Sequence, residues 1–378
     1  MNSFYTLYGS YASYYTAKTR TYLRKKGITF VERLPSDPMF RGTVRPQSGS
    51  HRIPQLLTPE GAVIQDSVEI LDRLELRFPA LPAFPEGPTQ RTFVHLMELY
   101  GSEGLVRLAW LHRWMFAENL FFVRSDFGRS FKPQGTDQEL ENYGNLIANQ
   151  MRRQGLPEPT REVLDGLDAQ YRELLGYFER HLIEHPYLLG GHPSAADYAV
   201  MGALHAHLGR DPAGLNLMQN HAPRVFRWVE HMLVPEVQSP EFFDRPVAYP
   251  AHDEVPQTSI EILRYVAQRY GRQFVLGAKA FNQAMQRIEA ESGYELSPEQ
   301  DQPVLPKEFL TYQGQKHEHA ANLYQVWLGQ RAQKFFQRQT PQTQASILAG
   351  LGEGHHRDLL EEPVAFEIQR INNRLVIV

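Results

Sequence analysis

The first 80 residues alternate short apolar runs with longer amphipathic ones. "FYTLY" (4–8) and "ITFVERL" (28–34) read as strands, and "SYYTAKTRTYLRKKG" (13–27) between them reads as a helix stopped by Gly27. Pro, Gly and Ser crowd residues 35–51, after which "RIPQLL" and "AVIQ" form two short strands around the turn "TPEG". In "DSVEILDRLELRF" (66–78), Val68, Ile70, Leu71, Leu74 and Phe78 fall largely on one helical face. Strand, helix, strand, hairpin and helix make an α/β unit with a mixed sheet.

"PALPAFPEGPTQ" (79–90), rich in proline, has the composition of a linker. Beyond it the pattern is all-helical, with long amphipathic runs over about 90–120, 159–184, 194–208 and 221–233. The polar stretch 128–158, with Gly and Gln, reads as a loop or a loosely packed helix. A second Pro-rich break (239–257) precedes "SIEILRYVAQRY", "AFNQAMQRIEAE" and "HAANLYQVWLGQRAQKFF", read as three helices. The last segment, "AFEIQRINNRLVIV", predicts a β-hairpin turning at Asn372-Asn373, because Asn tolerates positive φ. Three units follow: 1–80, 81–250 and a mostly helical 251–378.

Composition narrows the chemistry. A chain of 378 residues with 42% hydrophobic and 22% charged residues has ample material for buried cores. A net charge of −4 gives no general reason to bind nucleic acid or an acidic membrane. No apolar run has the length of a transmembrane helix, and "MNSFYTLYGS" lacks the regions of a signal peptide, so the expected compartment is the cytoplasm. Cysteine is absent, which excludes disulfides, a protein thiolate nucleophile and Cys-ligated metal centres. Any thiol chemistry must use a thiol brought by a ligand.

Three places can carry chemistry. Proline at the head of a strand is unusual, and a cis bond at Ile53-Pro54 would turn the main chain of Ile53 toward an extended peptide ligand; an edge proline is the plainer alternative. Asp66 and Ser67 stand at a predicted helix start, where N–H groups, the dipole and the Ser67 hydroxyl suit a carboxylate and Asp66 suits an ammonium. The same two residues serve equally as an ordinary N-cap. "LYGSYASYYTAKTR" (7–20) gathers Ser10, Tyr11, Ser13, Tyr14 and Tyr15 in one turn, either as a solvated turn or as the setting of one reactive hydroxyl.

Taken in order, "LYGSYASYYTAKTRTYL", "RIPQL" and "QDSVEILDRLE" resemble the thioredoxin-like N-terminal domain of the glutathione transferase superfamily. "LLGGHPSAADYAVMGALHA" (188–206) is similar to the family's Gly-x-x-Ser-x-x-Asp signature opening a core helix of its all-helical domain, with Ser194 and Asp197 as a capping box. "APRVFRWVEHM" (222–232) is similar to a later helix with a buried tryptophan. The resemblance implies a thioredoxin-like domain, an all-α domain and glutathione as co-substrate. It places Ser13 where the family presents Ser, Cys or Tyr to the glutathione sulfur, with Tyr8 as the alternative. Arg52, Ile53, Pro54, Asp66 and Ser67 are the glutathione contacts it implies, and a homodimer is the expected assembly. The expected activity is thiolate attack on a small, largely apolar electrophile; a non-catalytic binding or scaffold protein of the same fold is the competing reading.

Departures from the family pattern are specific. Tyr14 stands where relatives often have proline, and Tyr11, Tyr14 and Tyr15 are read as loop or substrate-pocket residues. The histidines at 205 and 207, 317 and 319, and 355 and 356 lack metal-ligand spacing and are read as solvated or capping, so no metal site is expected. No chemistry is assigned to 251–378, which is expected to pack onto the helical domain.

Overall fold

The computed structural model describes residues 4–154, 156, 158–296, 308–312, 315–319 and 322–378. The chain opens with β1 (Tyr5–Tyr8), α1 (Tyr14–Lys25) and β2 (Phe30–Arg33). A short helical turn, α2 (Arg45–Ser48), then leads to β3 (Gln55–Leu57), β4 (Val63–Gln65) and α3 (Ser67–Arg77). The sheet order is β2-β1-β3-β4, with β1 parallel to β2 and the other pairs antiparallel. This is the mixed sheet that the alternation implied, in the thioredoxin-like form that the family resemblance implied. Side chains of β1 divide by the period of two: Tyr5 and Leu7 enter the main core, whereas Tyr8 joins Phe40 and Val44 in a small cluster of their own.

The helical layer consists of α4 (Pro88–Leu99), α5 (Val106–Met115), α6 (Ala117–Phe131), α7 (Asp137–Arg153), α8 (Arg161–His181), α9 (Ala195–Met201), α10 (Pro212–His221) and α11 (Pro223–Met232). Wide turns at Tyr100–Gly104 and Gly202–His207 extend α4 and α9. The expected loop at 128–158 is corrected here, since α6 and α7 pack as a helical hairpin. Its glycines are contact points. A Cβ on Gly128 would lie 2.2 Å from the Leu140 carbonyl oxygen, and one on Gly144 2.2 Å from that of Arg124. Read locally they look like turn residues, but their use is to let two backbones approach.

In the C-terminal third, α12 (Gln257–Arg287) runs unbroken through the two helices expected there, because Tyr270, Phe274, Val275 and Ala278 continue its buried stripe. Then come β5 (Glu295–Leu296), β6 (Glu308–Tyr312), β7 (Gln315–His319), α13 (Leu323–Gln337), α14 (Pro341–Leu351), α15 (His355–Glu361), β8 (Ile368–Ile371) and β9 (Arg374–Ile377). Asn322 caps α13 by accepting from the Gln325 N–H; the predicted start at His319 is corrected, since His319 ends β7, and Ala320 and Ala321 lie outside the described residues. The terminal hairpin turns at Asn372 and Asn373, both at positive φ (50° and 66°), as the Asn pair suggested. Helices α13 and α14 lie against α4, and α12 lies against α8. One continuous apolar core therefore runs from Tyr5 in β1 to Ile377 in β9.

Candidate functional site

Ser13 is the N-cap of α1. Its Oγ accepts the Thr16 N–H at 3.2 Å, and the residue is half-buried. With that lone pair committed to the helix end, the hydroxyl proton is free to donate outward, where the dipole favours negative charge. Two buried arginines brace the turn. Arg20 donates to the Ser10 carbonyl at 3.1 Å while paired with Glu32, and Arg113 of α5 donates to the Ala12 carbonyl at 2.7 Å while paired with Asp211. Neither brace shows in the local pattern, because each depends on a partner distant in sequence.

The tyrosines of this turn separate. Tyr14 is not a pocket residue, which corrects the expectation. It is 5% exposed, its hydroxyl donates to the Gly101 carbonyl at 2.5 Å, and its ring fills the space where a Cβ on Gly202 would come within 2.3 Å. At the position where the family resemblance leads one to expect proline, this chain uses a ring that locks α1 onto the two wide turns. Tyr15 donates to Glu103 at 2.9 Å, and exposed Tyr11 lies over the Arg20 guanidinium at 4.2 Å. Tyr8 is 2% exposed with its ring tilted against Phe40, and burial, with Asp37 nearby, raises its hydroxyl above the usual tyrosine range.

The Ile53-Pro54 bond is cis. Pro54 accepts the Asp66 N–H at 3.2 Å, which joins the two motifs into one surface, while the main chain of Ile53 is engaged by no described residue. Asp66 has φ +91°, and its Oδ1 takes the Val68 and Glu69 N–H groups, so the N-cap reading is realised. That leaves Oδ2 open. Ser67 is fully buried, and its Oγ has no partner among the described residues. An unpartnered buried hydroxyl at a helix start is costly unless something external completes it. Arg52 and His51 are exposed beside it, and Gln55 fixes this segment by donating to the carbonyls of Ser50 and Arg52.

Glu103 lies behind this surface. It accepts from Tyr15 and from Gln325 of α13, the latter at 3.0 Å. Burial raises its carboxyl to about 7, opposed by these two donors and by Lys18 and reinforced by Asp66. Because the folded value lies above the ordinary 4.5, the unfolded chain releases this proton first as pH rises. Glu103 therefore withdraws stability between pH 4.5 and 7, by about 3 kcal/mol in full. Glu103→Gln should gain on the parent protein by up to that amount between pH 4.5 and 8 in urea melts. A pH-independent difference would remove the assignment.

The histidines correct another expectation. His205, His207 and His356 are buried, and burial lowers all three below the usual imidazole range. His355 is half-buried and pairs with Asp358 at 2.9 Å. The side chains of His317 and His319 lie outside the described residues. Among the described residues no group of three or more His, Asp or Glu side chains could hold a metal ion, and no helix is long and apolar enough to cross a membrane.

A cleft of about 460 Å³ opens between β2 and α6, bordered by Tyr11 of the turn before α1, by Leu34 and Pro133, and by four charged side chains. Its acids are committed, Glu32 to Arg20 and Asp126 to Arg210. Arg33 and Arg129 have no acidic partner among the described residues.

Comparison with known proteins agrees with this layout in chain order. The model of the glutathione S-transferase N-terminal domain matches residues 7–83, and that of the glutathione S-transferase C-terminal domain matches 161–231. No curated protein matches the chain. Among solved structures, a glutathione S-transferase of Methylobacterium radiotolerans JCM 2831, in complex with glutathione sulfonate, is 23% identical over 67% of this chain and 100% of its own, with a TM-score of 0.37. The beta-etherase LigF of Sphingobium sp. strain SYK-6 is 20% identical over 60% and 94%, with a TM-score of 0.43. A glutathione transferase family member of Pseudomonas fluorescens Pf-5, with two glutathione bound, is 16% identical over 69% and 92%, at 0.34. The two domain models, in the order of the sheet unit and the helical layer, show that residues 7–83 and 161–231 belong to the N-terminal and C-terminal domain families of glutathione S-transferase.

Proposed function

We propose that the chain is a glutathione-dependent transferase. The observation that carries this reading is the buried Ser67 hydroxyl, left without a partner at the start of α3 beside the open Oδ2 of Asp66. An amino-acid zwitterion answers both, with its carboxylate on Ser67 and the helix N-terminus and its ammonium on Asp66. The free main chain of Ile53 would pair with the peptide that follows, and Arg52 stands beside it. The tripeptide thiol then reaches Ser13, whose O–H donates to the sulfur and favours thiolate over thiol. A shift of two units in that thiol amounts to ~2.7 kcal/mol, within reach of one charge-assisted hydrogen bond plus a helix terminus.

The thiolate attacks an electrophilic carbon of the second substrate, forming a carbon–sulfur bond as the leaving group departs with its electron pair. The cleft beside Tyr11 changes the expected character of that substrate. Two arginines without acidic partners favour an electrophile that carries an anionic group beside its apolar body.

Calorimetry with glutathione, followed by turnover on a panel of electrophiles, tests the reading. Absence of binding at millimolar glutathione removes it, whereas binding without turnover favours the non-catalytic alternative. In the active protein, Ser13→Ala should lose turnover by about 100-fold with little change in glutathione affinity. Unchanged turnover would move the role to Tyr8 or to a backbone donor.

A further inference from the structure

The geometry points to the C-terminal hairpin as part of the glutathione site, with Arg370 receiving the glutamyl α-carboxylate beside Ser67. This rests on the reading of that site as one for glutathione. Arg370, on β8, reaches the N-terminal sheet, where its Nη2 donates to Gln65 Oε1 at 2.6 Å. Gln65 leads directly into Asp66-Ser67. In the turn of the same hairpin, Asn373 donates to the Ser48 carbonyl at 3.2 Å. The hairpin is thus fastened to the sheet at two points, both on segments that border the candidate site.

Arg370 differs from the other arginines that tie the fold together. Arg20, Arg113 and Arg331 each hold a carboxylate. Arg370 has no acidic partner among the described residues, its buried Nε donates to nothing, and its guanidinium lies 5.6 Å from the Trp327 ring centroid. The Tyr324 hydroxyl, at the start of α13, is also buried without a partner and lies within electrostatic reach of Asp66, Glu103, Tyr15 and Arg370. The nearby acids do not satisfy the arginine, since Asp66 caps α3 and Glu103 holds Tyr15 and Gln325. An uncompensated guanidinium and two orphaned hydroxyls, Ser67 and Tyr324, ask for one small anion with several acceptor oxygens. The α-carboxylate of a γ-glutamyl group is such an anion, and its ammonium falls to Asp66.

The test is calorimetry on the full chain with two ligands. One is glutathione, and the other is its analogue with 4-aminobutyryl in place of the glutamyl residue, which lacks only the α-carboxylate. The parent protein should bind the analogue about 10- to 100-fold more weakly than glutathione. Arg370→Met, which keeps an unbranched apolar side chain, should bind glutathione more weakly and should discriminate between the two ligands clearly less than the parent does, with Ser67 and the start of α3 still in place. Arg370→Lys should fall between. Thermal melting checks that Arg370→Met is folded; if it is not, Arg370→Lys carries the same comparison. Arg370 variants that bind glutathione within about twofold of the parent, and still discriminate against the analogue, overturn the inference and leave the site reading standing. A parent protein that binds no glutathione overturns the site reading itself.

Discussion

Glu98→Ala should destabilise the protein by about 3–5 kcal/mol, the scale of removing one partner from a buried charge cluster. Glu98 is fully buried on α4. Its Oε1 takes the ammonium of Lys18 on α1 at 2.7 Å, and its Oε2 lies 3.3 Å from Arg331 Nε of α13, an ion pair too bent for a hydrogen bond. Arg331 also grips Asp72 on α3 through two nitrogens. One carboxylate therefore joins the N-terminal sheet unit, the helical layer and the C-terminal third. Burial pushes its pKa up, but Lys18 and Arg331 outweigh that and hold it below the ordinary range. A depressed folded value means that this contribution is present above pH 4.5 and is lost as pH falls through the folded value. Alanine leaves the ammonium of Lys18 buried and unpaired, while Arg331 keeps Asp72. Urea unfolding followed by circular dichroism at pH 7 reads the loss directly; a loss below about 1 kcal/mol would mean that water or rearrangement replaces the carboxylate.

Features set by near neighbours in the chain were legible before the fold was known. The Asp66-Ser67 helix start, the Ser194–Asp197 pair that opens α9, and the Asn372-Asn373 turn all depend on residues within a few positions, so their chemistry is written locally. Gly128 and Gly144 were misleading for the same reason. A glycine that releases the chain into a turn and one that admits a second backbone look alike until the partner helix is known. Tyr14 is the sharper case. Its role is set by Gly101 and Gly202, both far along the chain, so only their juxtaposition shows that the departure from proline tightens the packing beneath Ser13. Arg370 and Glu103 were invisible as site residues because β8 meets the sheet, and the wide turn after α4 meets α1, only in three dimensions.

Arg113→Met should cost about 3–5 kcal/mol and, on the proposed function, should also lower turnover through the turn that holds Ser13, a combination that a purely structural lesion far from the site would not give. The guanidinium is 2% exposed and makes four bonds, two to Asp211 and one each to the carbonyls of Ala12 and Ala206. Methionine fills similar space but leaves Asp211 buried without a counter-charge and the Ala12 carbonyl without its donor. Burial already holds the Asp211 carboxyl above the usual aspartate range despite the arginine, and losing that arginine raises it further. A raised folded value means that stability is withdrawn as pH climbs past the unfolded value, so the deficit should be larger at pH 8 than at pH 5. Arg113→Met/Asp211→Asn removes the stranded charge and should recover part of the stability, flattening that pH dependence. It should not recover turnover, because asparagine does nothing for Ala12, which sits one residue before Ser13. Urea melts at the two pH values, with turnover for the single and double variants, separate the two effects. Recovery of turnover in the double variant would show that Arg113 acts through Asp211 and not through the turn.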